Sequence, residues 1–310
     1  MDLRRFCLFC VVGSFLGLAG CEDWDVGVGR SDRYREDFHY SYPLNPGASV
    51  QVDNFNGSVE ISGWDKNTVD IDGTKYANSE DRMRQMKIDV SASSGSVTIR
   101  TTRPADRWGN SGARYVIHVP RHAELTNIVS SNGAIHVDSI DGNAHLRTSN
   151  GGIRATAIRG TVDAQSSNGT LEIADVVGDA MLRTSNGGIK ADVKKGGFDA
   201  RTSNGSITAR LMEPDAKPVR LESSNGHIEL TMDAAREVHA DTSNSSIIVR
   251  MPNSAGATLR AHTSNASITS DFDVAVHGML SKHRLEGTIG TGGPLLDLET
   301  SNGGIKLLRF

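Results

Sequence analysis

The chain has 310 residues, a formal net charge of −4, 33 glycines, 8 prolines and 5% aromatic residues. So mild a charge leaves no electrostatic footprint for nucleic acid, and abundant glycine with little proline indicates many tight corners rather than disorder. Met1 to Arg5 carries two arginines, and Phe6 to Leu16 is an uncharged, mostly apolar run. A membrane-spanning helix needs about 20 apolar residues, so this run is too short to span and reads as the core of a cleaved leader over residues 1–20.

Leu18-Ala19-Gly20-Cys21 then places small residues directly before a cysteine. This resembles the bacterial lipobox, which implies cleavage between Gly20 and Cys21 and a diacylglyceryl group on the Cys21 sulfur. Cys7 and Cys10 leave with the leader, so the mature chain keeps one cysteine and forms no internal disulfide. Two or more acyl chains hold a protein durably on a membrane. The expected localisation is the cell envelope, lipid-anchored, at the outer membrane or a periplasm-facing membrane. Without its leader the chain has charge −5, because Asp2, Arg4 and Arg5 leave with one net positive charge. Residues 21–46 read as a tether, polar and without a sustained period. Phe38, Tyr40 and Tyr42 alternate near its end, as an edge strand would.

Residues 47–310 read as one repetitive domain. Ser-Asn, a small residue and then an aliphatic recur at Asn132, Asn150, Asn168, Asn186, Asn204, Asn225, Asn244, Asn265 and Asn302. The first five are 18 residues apart, and the later gaps are 21, 19, 21 and 37, the last spanning about two units. Two residues before each asparagine stands serine or threonine. Four before stands an aliphatic or alanine (Ile128, Leu146, Ala164, Leu182), and three after another aliphatic (Ile135, Ile153, Leu171, Ile189). The residues between are polar or charged. Alternation of period two on both sides makes each unit strand–corner–strand.

A glycine eight residues before the asparagine (Gly142, Gly160, Gly178, Gly196) marks a second corner. Asparagine and glycine both tolerate positive φ, which gives the Asn-Gly corner a conformational reason. The same alternation also suits a hairpin. Identity along the columns favours parallel rungs stacked in register, where like side chains form ladders about 4.8 Å apart.

The predicted fold is therefore all-β: a repetitive β-solenoid, parallel β-helix-like, about 18 residues per rung, with two short strands and two corners. Parallel connections make it right-handed by preference. Val52 to Ile61 carries the same form, and Ile88 to Ile99 repeats it with serine in place of asparagine. Asn78 to Lys87 reads as a short helix capped by Asn78 or Ser79, and Asp106 to Ala113 as a loop. About fourteen rungs would make a rod of roughly 65–70 Å.

Val59-Glu60-Ile61-Ser62-Gly63-Trp64-Asp65, Tyr115-Val116-Ile117-His118-Val119-Pro120 and the Thr-Ser-Asn-Gly rungs ending in Gly303-Gly304-Ile305-Lys306-Leu307 resemble the bacterial putative-adhesin domains of unknown function. They are distantly similar to the autotransporter-adhesin head. The resemblance spans residues 38 to 310 and implies an envelope-exposed solenoid without a defined active site. Ser245 and Ala266 depart from it where glycine is usual, as does the irregular stretch Asp271 to Gly293.

The sequence carries no nucleophile elbow, phosphate loop or His-Glu-x-x-His, so no catalytic residue, metal ligand or cofactor is expected. The ten histidines, among them His145, His227, His262 and His283, are scattered. The serine–asparagine column reads as corner chemistry. Arg147, Arg183 and Arg201 share one outward column and form the candidate binding face, with Asp163 and Asp199 beside them as possible neutralising partners. The expected function is non-enzymatic: a lipoprotein that displays its solenoid for adhesion, binding or scaffolding. Its partners would be the membrane through Cys21 and an envelope polysaccharide or envelope protein. The rivals are a carbohydrate-active enzyme on the same fold and a periplasmic sensor or assembly factor.

Overall fold

The computed structural model describes residues 33–105, 110–213, 215–277 and 281–310. The leader, Gly20 and Cys21 lie outside the described residues. Each repeat sends its strand before the asparagine into one long sheet and its strand after it into another, of 14 and 13 strands. Neighbouring rungs pair in parallel and in register: Ile153 lies against Leu171, which lies against Ile189, and Leu146 against Ala164, which lies against Leu182.

The core runs between the two sheets. The column four residues before each asparagine, from Ile128 to Leu298, is at most 3% exposed throughout. The column three after is equally buried from Ile135 to Ile305, apart from Ile268 in the last rung, which is half-buried. Parallel rungs hold this register because a one-residue slip would turn every aliphatic outward. The fold is the repetitive all-β solenoid expected from the repeats.

The ends depart from simple stacking. Ser49–Asn54 and Val59–Trp64 form a rung, but it lies between the strands Ser96–Thr102 and Ser111–Pro120 on one side and Glu124–Ser130 and Ile135–Ile140 on the other. Likewise Leu295–Thr300 and Ile305–Arg309 insert between Val238–Thr242 and Ile247–Met251 on one side and Ala257–Thr263 and Ile268–Ser270 on the other. The 37-residue gap is therefore not two successive rungs. Its middle is an antiparallel excursion, Val274–Val276 and Arg284–Ile289, added to the edge of the 14-stranded sheet.

Ile88 to Ile99 is not a rung either. Lys87–Ser93 and Ser96–Thr102 form an antiparallel hairpin within one sheet around Ser94-Gly95. Setting aside the two antiparallel strands of one sheet and the three of the other leaves eleven rungs among the described residues, fewer than the fourteen expected. At about 4.8 Å per strand the longer sheet extends about 60 Å.

Tyr34–Pro43, inside the segment assigned to the tether, is a ten-residue edge strand antiparallel to Thr68–Ala77. Its Phe38, Tyr40 and Tyr42 pack on the end of the core. The short helix is Glu80–Gln85, and the Ser79 hydroxyl caps it by accepting from the Arg82 amide. The expected loop over Asp106 to Ala113 ends earlier, because a strand already begins at Ser111.

Candidate binding face

The corner that carries the repeat is held by three stacked devices. In the first, the asparagine amides form a continuous ladder. Asn150 donates from Nδ2 to Oδ1 of Asn132 at 2.7 Å, and Asn168, Asn186, Asn204, Asn225 and Asn244 each donate to the one before at 2.8 Å. Asn302 then donates to Asn244, and Asn265 to Asn302, so the ladder follows the spatial order of rungs rather than the chain order.

In the second, the hydroxyl two residues before each asparagine bridges rungs. Thr184 donates to the Gly169 carbonyl at 3.0 Å and accepts from the Gly187 amide of its own corner at 3.3 Å. Ser166, Thr202, Ser223 and Thr300 repeat the same clip.

The third is the glycine after the asparagine, which does not supply the positive φ expected of this corner. Among the described residues no ladder asparagine has positive φ, and neither do Gly133, Gly151, Gly169, Gly187 or Gly205. These positions are glycine because a Cβ at Gly169 would lie 1.7 Å from the Gly151 carbonyl oxygen, with similar collisions in the other rungs. Positive φ belongs to the second corner instead, at Gly160, Gly178 and Gly196, and to the stacked Ser139, Ala157 and Asp175.

Beside this corner runs the outward column three residues before the asparagine. In spatial order it reads Arg147, Gln165, Arg183, Arg201, Glu222, Asp241, Glu299. A groove of about 390 Å³ follows it, lined by Arg183, Arg201, Glu222 and Asp241 and by serine hydroxyls such as Ser203 and Ser224. The structure thus places the three expected arginines on one line, with Gln165 between the first two.

Arg201 is engaged on both sides, by Asp199 at 2.9 Å and Glu222 at 3.0 Å, and these carboxylates raise its pKa. Asp163 lies instead near His145 at 3.6 Å and accepts from Gln165. Arg147 and Arg183 are exposed and make no ion pair among the described residues.

The acidic half of the column was not singled out in the sequence, although its members stand at the same offset before Asn225, Asn244 and Asn302. Asp241 lies between Glu222 and Glu299. Burial, followed by the charge of Glu299 and then of Glu222, holds its carboxyl above the ordinary value. The line changes sign at the Arg201–Glu222 junction, so its cationic stretch covers four rungs, about 14 Å from Arg147 to Arg201. The histidines stay scattered. Among the described residues no three His, Cys, Asp or Glu side chains are grouped to hold a metal.

Stacked two-strand rungs, an asparagine ladder and an open polar groove define a two-sheet β-solenoid. The Toastrack DUF4097 family matches residues 43–308, and the chain belongs to that family. Among solved structures the chain is similar to a putative cell adhesion protein from Clostridium sporogenes, at 10% identity and TM-score 0.24, covering 89% of this chain and 100% of that one. It is also similar to a putative adhesin from Bacteroides fragilis, at 11% identity and TM-score 0.30, covering 88% of this chain and 97% of that one. No curated protein matches the chain.

Proposed function

We propose that the protein is a non-enzymatic lipoprotein of the cell envelope. Cys21 carries the anchor, and the solenoid is a rod that binds a linear anionic envelope polymer along the Arg147, Arg183 and Arg201 column. The observation behind this reading is that Arg147 and Arg183 stand two rungs apart without an ionic partner among the described residues, and that Arg183 lines a groove rich in hydroxyls. Asp199 and Asp163, the expected neutralisers, are spent on Arg201 and on His145 with Gln165. A polymer with regularly spaced anions meets several such sites together, so weak contacts add.

Non-enzymatic use is favoured over glycan cleavage by the setting of the carboxylates. The carboxylate pair that glycan cleavage needs would flank a bound sugar from two sides, whereas Glu222, Asp241 and Glu299 follow one another along a single column, and Glu222 is paired with Arg201.

Replacing all three arginines by glutamine tests the proposal. An exposed ion pair contributes about 0.5 kcal/mol, so losing the two unpaired arginines, Arg147 and Arg183, should weaken binding to purified lipopolysaccharide about five-fold at low salt. Added salt should weaken the unchanged protein in the same direction. Equal binding by the two proteins, or binding indifferent to salt, would remove this face from consideration.

A further inference from the structure

We infer that Asn132 is a site of spontaneous covalent modification, deamidation through its bond to Gly133, and that the same corner chemistry protects the other ladder asparagines. Seven ladder asparagines precede glycine: Asn132, Asn150, Asn168, Asn186, Asn204, Asn225 and Asn302. A glycine nitrogen carries no neighbouring side chain to block its approach to the asparagine side-chain carbon. In the reaction the Gly133 nitrogen loses its proton to hydroxide and attacks Cγ of Asn132. A C–N bond closes a succinimide ring, the Cγ–Nδ2 bond breaks, and ammonia leaves with the proton it takes up from water. Water then opens the ring to aspartate or isoaspartate.

Exposure does not separate the candidates, because Asn132, Asn150, Asn168, Asn186, Asn204 and Asn225 are all exposed. Hydrogen bonding does. In six of the seven corners the attacking nitrogen is tied. Gly151, Gly169, Gly187, Gly205, Gly226 and Gly303 donate to the hydroxyl of their own rung at 2.9–3.3 Å. Ser130 donates to the Gly57 carbonyl at 2.9 Å, but among the described residues the Gly133 amide makes no such bond to it.

The amides differ in the same sense. Each later ladder asparagine donates to a neighbouring Oδ1 at 2.7–2.8 Å, whereas Asn132 donates only to the Phe55 carbonyl at 3.3 Å. Aspartate at an interior position would set two acceptors against each other across a rung. At Asn132 it would lose one long bond and still accept from Asn150. Outside the ladder, Asn56-Gly57 is held differently, since Asn56 donates to both Asn110 and the Ser111 carbonyl.

The test is to hold the full chain at mildly alkaline pH, folded and in parallel in urea, and to map deamidated peptides by mass spectrometry over time. One hydrogen bond absent at Gly133 and one lengthened at Asn132 separate this corner from the interior, which predicts deamidation about ten-fold faster at Asn132 than at Asn168 in the folded protein. In urea the two rates should converge. Thr148→Val removes the clip on Gly151 and should raise the rate at Asn150, while Thr148→Ser, the arrangement already present at Ser166, should restore it.

Equal folded rates at Asn132 and Asn168 overturn the inference, as does a folded Thr148→Val protein with Asn150 still slow. If Thr148→Val does not fold, the comparison of Asn132 with Asn168 in the unchanged protein decides alone.

Discussion

Alanine at Gly187 should destabilise the solenoid, whereas alanine at the next residue, Gly188, should not. A Cβ on Gly187 would sit 1.9 Å from the Gly169 carbonyl oxygen and 2.4 Å from its carbon, both rigid backbone. A Cβ on Gly188 would meet only the Ser206 carbonyl, at the ordinary distance of 3.5 Å. Relieving the first contact requires the rungs to separate locally by more than about 1 Å. Bonds of 2.8–3.0 Å, such as those from Asn186 to Asn168, Thr184 to Gly169 and Thr202 to Gly187, would then pass out of hydrogen-bonding range.

At about 1 kcal/mol per bond, two or three losses cost about 2–3 kcal/mol. For a domain of this size that lowers Tm by about 4–12 °C. Gly188 has no positive φ, so alanine there restricts the unfolded chain and should leave Tm unchanged or raise it slightly. Thermal unfolding followed by circular dichroism compares the pair directly. Equal Tm values for Gly187→Ala and Gly188→Ala would refute the claim that close approach of rungs fixes glycine at the corner.

Three further outcomes are expected. Ile189→Asp should destabilise by about 3 kcal/mol or more, because Ile189 is 1% exposed in the column of Ile153, Leu171 and Ile207, whereas Lys190→Asp should change little; similar Tm losses for the two would deny the register. Asp241→Asn should raise stability at neutral pH. A carboxyl whose folded pKa is raised weakens the fold as pH climbs through that value, and the gain should vanish below the ordinary carboxylate range, as urea melts at two pH values would show. Cys21→Ser should move the protein from the membrane pellet to the soluble fraction while leaving its circular dichroism unchanged, and a variant still in the pellet would exclude Cys21 as the anchor.

The columns were legible in the sequence because parallel in-register stacking converts a spatial line into a fixed offset. The inward aliphatics from Ile128 to Leu298 and the amide ladder follow from that offset alone. The ends were not legible in the same way. A rung and a hairpin share one alternation, so Ile88 to Ile99 carries nothing that tells a corner between sheets from the turn at Ser94-Gly95. Nor does Leu295 to Arg309 carry a mark of its place. It has the pattern of any rung, and only its pairing puts it beside Val238–Thr242.

The arginine column was readable, and so was its acidic continuation at Glu222, Asp241 and Glu299. What sequence could not supply was how the carboxylates are shared: Asp199 turns to Arg201, while Asp163 turns to His145. The true reason for glycine at the corner was also hidden, since it lies in a contact with another rung rather than in the residue's own φ.

The inserted rungs bear on how the rod withstands mechanical load. In a solenoid stacked in strict chain order, a pull on the last coil meets pairing on one side only, and coils peel off one at a time. Here Ile305–Arg309 is paired on both sides, with Ile247–Met251 and with Ile268–Ser270, and Ser49–Asn54 is flanked by Glu124–Ser130 and Ser96–Thr102. Drawing either strand out must break two ladders together. At the other extreme, a tug at Tyr34 acts along ten register pairs with Thr68–Ala77, so that strand is sheared rather than unzipped if the force runs along it. A pull applied through Ile305–Arg309 or Ser49–Asn54 thus meets two ladders, where a stack in strict chain order would offer one.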